Sequence, residues 1–274
     1  MSEIRLLVLD VDGTIAGPNN AVSPAVLQAI QQVQARDIKV AIATGRMYCS
    51  ALRFHRAIGS TEPLTAYNGA WIQQPGTPEP LLHCPVPADR VAEILDFVEQ
   101  LGDWRSQVEV HLYAEDRLFL SEQTSQSAAY LDRSGVPAQI LHDLRSLLDR
   151  QLTKVLLSAA DPEVITDLIT LFRRRYSPQD LHITQSTENY LEFTQSNVNK
   201  GMAIAHLAQH HYQLPMAQVM AIGDNFNDLE LLQQAGIGIA MGNAPAGVKD
   251  QADWVTTSVE AEGVAIAVEK FLLD

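Results

Sequence analysis

Three short aliphatic runs constrain this chain more than any other feature: residues 5–9 (R-L-L-V-L), 39–43 (K-V-A-I-A) and 218–222 (Q-V-M-A-I). Each is continuous rather than alternating, the pattern of a strand buried on both faces, as in a parallel sheet. Ser23-Pro24 opens a helix after the first run, with Ser as N-cap, Pro in the first turn and Val26, Ile30 and Val33 on one face. Residues 47–58 read as a helix and 64–67 as a third strand. Helices over 199–212 and 228–235, strands at 238–241 and 254–255, a short helix at 245–249 and a closing helix over 263–272 repeat the pattern. Strand–helix–strand repetition predicts right-handed crossovers and a doubly wound, Rossmann-like α/β core.

The middle of the chain breaks this pattern. Pro75, Pro78, Pro80, Pro85 and Pro87 mark a hinge-like stretch. After it come a helix over 88–101 and an alternating strand that sets Val108, Val110 and Leu112 against Glu109, His111 and Tyr113. Residues 118–120 read as its hairpin partner. A strand at 153–158, a helix over 162–176 and strands at 181–184 and 190–193 complete an α+β insert. The expected organisation is a discontinuous core, 1–82 with 194–274, interrupted by an α+β cap at 83–193.

Composition narrows the function classes. Lys plus Arg number 19 against 33 Asp plus Glu, a net charge of −14, which argues against nucleic acid or an anionic membrane as partner. A small phosphate ligand needs only a few local donors. Residues 1–5 carry charges and no long apolar run, unlike a signal peptide, and no stretch reads as a spanning helix. Cys49 and Cys84 make no disulfide framework and are expected as buried free thiols of a cytoplasmic protein. No heptad pattern occurs, and a monomer or homodimer is expected.

Polar residues gather where the apolar runs end, the edge at which open α/β sheets bind ligands. Asp10-Val11-Asp12-Gly13-Thr14 follows the first run, with two carboxylates two residues apart and a Gly that permits a turn. Thr44-Gly45-Arg46 follows the second; a hydroxyl, a free backbone and a guanidinium can hold a phosphate, or simply cap a helix. Gly223-Asp224-Asn225-Phe226-Asn227-Asp228 follows the run at 218–222. If the sheet closes, Asp224 approaches Asp10 and Asp12, and crowded carboxylates of this kind are relieved by a divalent cation. Oxygen ligands without a Cys/His set favour Mg²⁺. The alternative is an Asx turn capping the next helix. Lys200 opens a helix, where the dipole disfavours it, so either the acidic cluster or solvent must offset it. His206 and His210 share a helix face but lack a third zinc ligand.

Taken in order, D-V-D-G-T at 10–14, T-G-R at 44–46, N-G at 68–69, V-N-K-G at 198–201 and G-D-N-F-N-D at 223–228 resemble the haloacid dehalogenase-like phosphohydrolases. The match is closest to the Cof-type subgroup, with its large inserted cap. The resemblance covers both core segments closely and the cap only in size and element order. It implies that Asp10 is the nucleophile forming an aspartyl-phosphate and Asp12 the general acid and base. It implies Mg²⁺ held by the Asp10 and Asp224 side chains and the Asp12 backbone carbonyl. Thr44 and Lys200 would contact phosphate oxygens, as would Asn227, and Asp228 would support Lys200. Gly45, Arg46 and Asn68 would bind or border the substrate. The cap would close over the site and set specificity. The expected function is Mg²⁺-dependent hydrolysis of a small phosphorylated metabolite, such as a sugar phosphate or cofactor-type phosphate. A phosphomutase or phosphotransferase, and a non-catalytic phosphometabolite sensor, are the competing readings.

Overall fold

The structure is a computed structural model that describes residues 3–273. The chain forms two compact units, 1–82 with 199–274, and 83–198.

In the first unit, β1 (Leu6–Leu9), α1 (Pro24–Gln34), β2 (Lys39–Ile42) and α2 (Tyr48–Ala57) alternate as the apolar runs require. Ser23 caps α1, its hydroxyl accepting from the Val26 amide, with Pro24 in the first turn. β3 (Leu64–Ala66) departs from expectation. It meets the main sheet only through a bridge between Ala43 and Thr65 and otherwise pairs antiparallel with β4 (Trp71–Gln73) in a separate three-stranded sheet with β5 (Leu82–His83). The cause is local: Tyr67, Asn68 and Gly69 adopt φ of 52°, 54° and 99°, which reverses the chain instead of leading it into a crossover helix.

The second unit begins with α3 (Ala88–Glu99), then β6 (Val108–Ala114), β7 (Arg117–Leu120), α4 (Ser125–Ser134), β8 (Ala138–Ile140), β9 (Leu152–Ala159), α5 (Pro162–Arg175), β10 (Leu181–Thr187) and β11 (Tyr190–Gln195). The strands form one sheet in the order β10-β11-β9-β6-β7-β8, antiparallel except for β7 with β8. Val108, Val110 and Leu112 pack with Val91, Ile94, Leu168 and Phe172 of α3 and α5. The alternate residues are not solvated as an alternating strand suggests. His111 and Tyr113 are buried, on the face where Lys154 pairs with Glu192 at 3.1 Å and sits 4.9 Å from the Tyr113 ring centroid. β11 runs on to Gln195 and the Val198 amide donates to Gln195 O. The return to the first unit therefore falls after Val198, later than residue 194.

That return is α6 (Lys200–Leu207), extended by a wider π turn over Ala208–Tyr212. There follow β12 (Val219–Gly223), α7 (Leu229–Gln234), β13 (Ile237–Ala240), α8 (Ala246–Lys249), β14 (Trp254–Val255) and α9 (Gly263–Val268). The main sheet is parallel throughout, in the order β14-β13-β12-β1-β2. All four residues of β1 are fully buried, which is why the strand itself carries no polar residue. From β1 the chain winds one way to β2 and, on its return, the other way through β12. The strand order reverses between β1 and β12, the switch point at which such sheets open a crevice at their carboxyl ends. Among the described residues no helix is long and apolar enough to cross a membrane. The thiols differ from expectation in burial: Cys49 is exposed and Cys84 half-buried, and neither forms a disulfide. Cys49 lies off the face of α2 that buries Ala51, Phe54 and His55.

Candidate active site

Asp10 is the first residue after β1 and Asp224 the first after β12, so the switch point brings the two carboxylates together. Lys200 opens α6, and its ammonium lies between two carboxylates, 2.7 Å from Asp10 Oδ1 and 2.6 Å from Asp228 Oδ1. Lys200 and Asp228 are fully buried and Asp10 is 4% exposed. Asp228 is held in turn, its Oδ2 accepting the Asp224 and Asn225 amides at 3.0 Å each. This explains the lysine at a helix start: the carboxylates more than offset the dipole. The N-cap is Asn199, whose side chain accepts from the Met202 amide.

Burial raises the Asp10 carboxyl to about 7, reinforced by the Asp228 and Asp12 charges and opposed by Lys200. Burial and the Asp10 and Asp228 charges raise Asp224 to about 8. Burial alone would lower the Lys200 ammonium, yet Asp10 and Asp228 outweigh it and hold the group above its usual range. Asp10, Asp224 and Asp228 each offer a carboxylate oxygen within 4.8 Å of the others, an acidic triad able to hold a metal. Their hydrogen bonds separate the roles. Asp228 is saturated by the ammonium and two amides. Among the described residues, the side chains that donate to Asp224 are neutral, Thr14 Oγ1 at 3.3 Å and Asn243 Nδ2 at 3.2 Å. Asp10 and Asp224 are thus the pair with charge left to offset. Gly13 lies against this pair: its φ is 77°, and a Cβ there would stand 2.1 Å from Asp224 Oδ2.

Thr44 follows β2 by two residues and is buried. Its amide donates to Thr65 O at 3.0 Å, and its carbonyl accepts from the Asn68 amide at 3.0 Å. Asn68, held in the left-handed region, accepts from Asn227 Nδ2 at 3.0 Å. Gly45 sits beside this pair, where a Cβ would come within 2.8 Å of Asn68 Oδ1. Thr44, Gly45, Asn68 and Asn227 therefore form one polar wall. Arg46 turns to Asp12 instead: its Nε and Nη2 donate to the two carboxylate oxygens at 2.6 and 2.7 Å. The His206 and His210 rings lie 4.7 Å apart, and among the described residues they join no cluster of three ligating groups.

The family model for haloacid dehalogenase-like hydrolases matches residues 7–268. The chain belongs to that family. It is 28% identical over 268 residues, 97% of each chain, to a 5-amino-6-(5-phospho-D-ribitylamino)uracil phosphatase of Bacillus subtilis. It is 32% identical over 243 residues to an HMP-PP phosphatase of Cronobacter sakazakii, covering 88% of this chain and 85% of that one. A solved haloacid dehalogenase-like hydrolase from B. subtilis superposes with a TM-score of 0.86 at 23% identity, covering 98% of this chain and all of the other. The motif resemblance and the Rossmann-like core are borne out.

Three side chains that the sequence reading gave no role join the site. Thr14 and Asn243 flank Asp224, and Asn243 also donates to Gly13 O at 2.9 Å while accepting the Val259 amide. Asn20 accepts from Arg46 Nη2 at 2.8 Å. Asn243 had a usable signal, standing three residues beyond β13 at a further strand end of the same sheet. Asn20 had none.

Proposed function

We propose that this protein is a Mg²⁺-dependent phosphatase of small phosphate monoesters, sugar phosphates or cofactor-type phosphates, acting through an aspartyl-phosphate on Asp10. The observation that carries this reading is the buried Asp10–Lys200–Asp228 array beside Asp224 at the switch point of a parallel sheet. Asp10 is a carboxylate held by a fixed ammonium, which suits a nucleophile that must meet a dianionic ester. The relatives named as phosphatases support the reaction class.

Asp10 and Asp224, with the Asp12 carbonyl, would hold Mg²⁺, which when bound offsets charge on the phosphoryl oxygens. Thr44, Lys200 and Asn227 bind those oxygens, and Gly45 and Asn68 shape the wall beside them. An Asp10 oxygen bonds to phosphorus as the ester P–O bond breaks, and that bond's electron pair leaves with the alkoxide oxygen. Asp12 gives its proton to this oxygen, and the alcohol departs. Asp12, now a carboxylate, takes a proton from water as the water oxygen bonds to phosphorus. The bond to Asp10 breaks, inorganic phosphate is released, and Asp10 is again a carboxylate.

The test is phosphate release from a panel of small phosphomonoesters with Mg²⁺ and with EDTA, for wild type and Asp10→Asn. Mg²⁺-dependent release abolished in Asp10→Asn is expected. Release that persists in Asp10→Asn would refute the covalent route, and no release from any ester by folded protein would refute the phosphatase.

A further inference from the structure

The guanidinium of Arg46 is committed to other side chains of its own unit. Nε donates to Asp12 Oδ2 at 2.6 Å and Nη2 to Asp12 Oδ1 at 2.7 Å, a two-pronged pairing that occupies both oxygens. Nη2 also donates to Asn20 Oδ1 at 2.8 Å, and Nη1 reaches Ser50 Oγ at 3.4 Å. The guanidinium lies 4.8 Å from the Phe54 ring centroid. Its main chain is fixed as well: the Arg46 amide donates to Thr44 Oγ1 at 3.2 Å, and its carbonyl accepts from the Tyr67 amide at 2.9 Å. The Arg46 side chain is only 9% exposed, whereas Asp12 is 33% exposed. The arginine is the anchored partner and the aspartate the one it holds.

We infer that Arg46 is a positioning residue for Asp12 rather than a phosphate ligand: its fixed fork aims the Asp12 carboxyl at the leaving-group oxygen. The inference rests on the phosphatase reading above and deepens it. In that reaction the proton passes from Asp12 to the ester oxygen as the P–O bond breaks, and Asp12 must be aligned with that oxygen at that moment. A planar fork bonded to both oxygens fixes the carboxyl plane; a lysine ammonium, a single point of charge, cannot. The spacing of T-G-R fits this role. Thr44 faces the polar wall through its backbone, while Arg46, two residues on, reaches across to the loop after β1.

The consequence is selective. An alkyl ester needs the proton to expel its alkoxide, whereas p-nitrophenolate leaves with little help. The assay compares kcat/KM of wild type, Arg46→Lys and Asp12→Asn on glycerol phosphate and p-nitrophenyl phosphate, because kcat/KM covers the steps through departure of the alcohol. Arg46→Lys is expected to lose on the order of 10²-fold on the alkyl ester and to stay within about fivefold on the aryl ester, following Asp12→Asn in direction. Equal losses on both esters, or a KM rise common to both with kcat unchanged, would overturn the assignment in favour of a phosphate-binding or folding role. If Arg46→Lys does not yield folded protein, Asn20→Gly removes one anchor of the fork at a left-handed position that glycine accepts. It is then read by the same ratio of the two esters, with a shift against the alkyl ester expected and an unchanged ratio overturning the assignment. Where wild type declines glycerol phosphate, the alkyl ester it hydrolyses best in the panel takes its place, and a folded wild type that hydrolyses no ester refutes the phosphatase and this inference together. A wild type that hydrolyses both, with equal losses in the variant, refutes the role of Arg46 alone.

Discussion

Replacing Lys200 by Met removes the one cation between two buried carboxylates while keeping the length of the side chain. In the native protein the ammonium is 2.7 Å from Asp10 and 2.6 Å from Asp228, with no solvent exposure. Removing one partner of a buried ion pair costs about 3–5 kcal/mol, because the remaining charge is left without compensation. Asp228 keeps its two backbone donors, so the penalty concentrates on Asp10. Asp10 already titrates near 7 through burial, and without Lys200 it holds its proton more tightly still. A carboxyl whose folded pKa is raised stabilises the folded state at low pH and loses that contribution as pH rises through the raised value. The deficit of Lys200→Met should therefore grow with pH, by about 1.4 kcal/mol for each unit over which the folded variant holds one more proton than wild type. The assay is native-state hydrogen exchange of the β1 and β12 amides in EDTA, at pH 6 and pH 8, because the two units need not unfold together. A deficit of about 3–5 kcal/mol at pH 8, smaller at pH 6, is expected. A deficit below about 1 kcal/mol, or one that does not change with pH, would refute the claim that the ion pairs set the stability of this array.

Other outcomes follow from the same geometry. Gly13→Ala places a Cβ against Asp224 at a φ of 77°; it should cost about 1–3 kcal/mol in stability and weaken Mg²⁺ binding, read by chemical denaturation and Mg²⁺ titration. Asp10 and Asp224 rise to about 7 and about 8 without metal. Metal-free protein should accordingly lose stability as pH rises from the ordinary carboxylate range to about 8, and Mg²⁺, competing with those protons, should raise the melting temperature more at pH 8 than at pH 6. Asn243→Ala removes a neutral donor from Asp224 and should weaken Mg²⁺ binding by about tenfold or more while leaving the fold intact, measured by titration and circular dichroism.

The parts of the site that lie next to buried strands were legible in the sequence. Asp10 follows its aliphatic run directly and Asp224 follows its own after a single glycine, so the strand that defines each run also places the carboxylate. Lys200 was legible as an anomaly, a cation at a helix start that needed either the acidic cluster or solvent to offset the dipole. Contacts set by how a loop folds back were not legible. Arg46 and Asp12 are 34 positions apart, and T-G-R reads equally well as a phosphate holder or a helix cap. The reversal that takes β3 out of the parallel sheet begins at left-handed Tyr67, a bulky residue that normally avoids that region, ahead of Asn68 and Gly69, which accept it. α4 escaped detection because only Ser127 of its ten residues is buried, leaving no apolar stripe to read. The burial of His111 and Tyr113 opposite the apolar face of β6 was equally hidden, because alternation marks which face a residue occupies and says nothing of what covers it.

The central claim is that Asp10 carries the phosphoryl group during turnover. The direct measurement is the mass of enzyme quenched in acid within one turnover of a phosphomonoester in Mg²⁺, followed by peptide mapping. The account predicts one added phosphoryl group on the peptide containing Asp10, absent with EDTA and absent in Asp10→Asn. An enzyme that turns over while this peptide stays unmodified, or that carries the group on another residue, would contradict it.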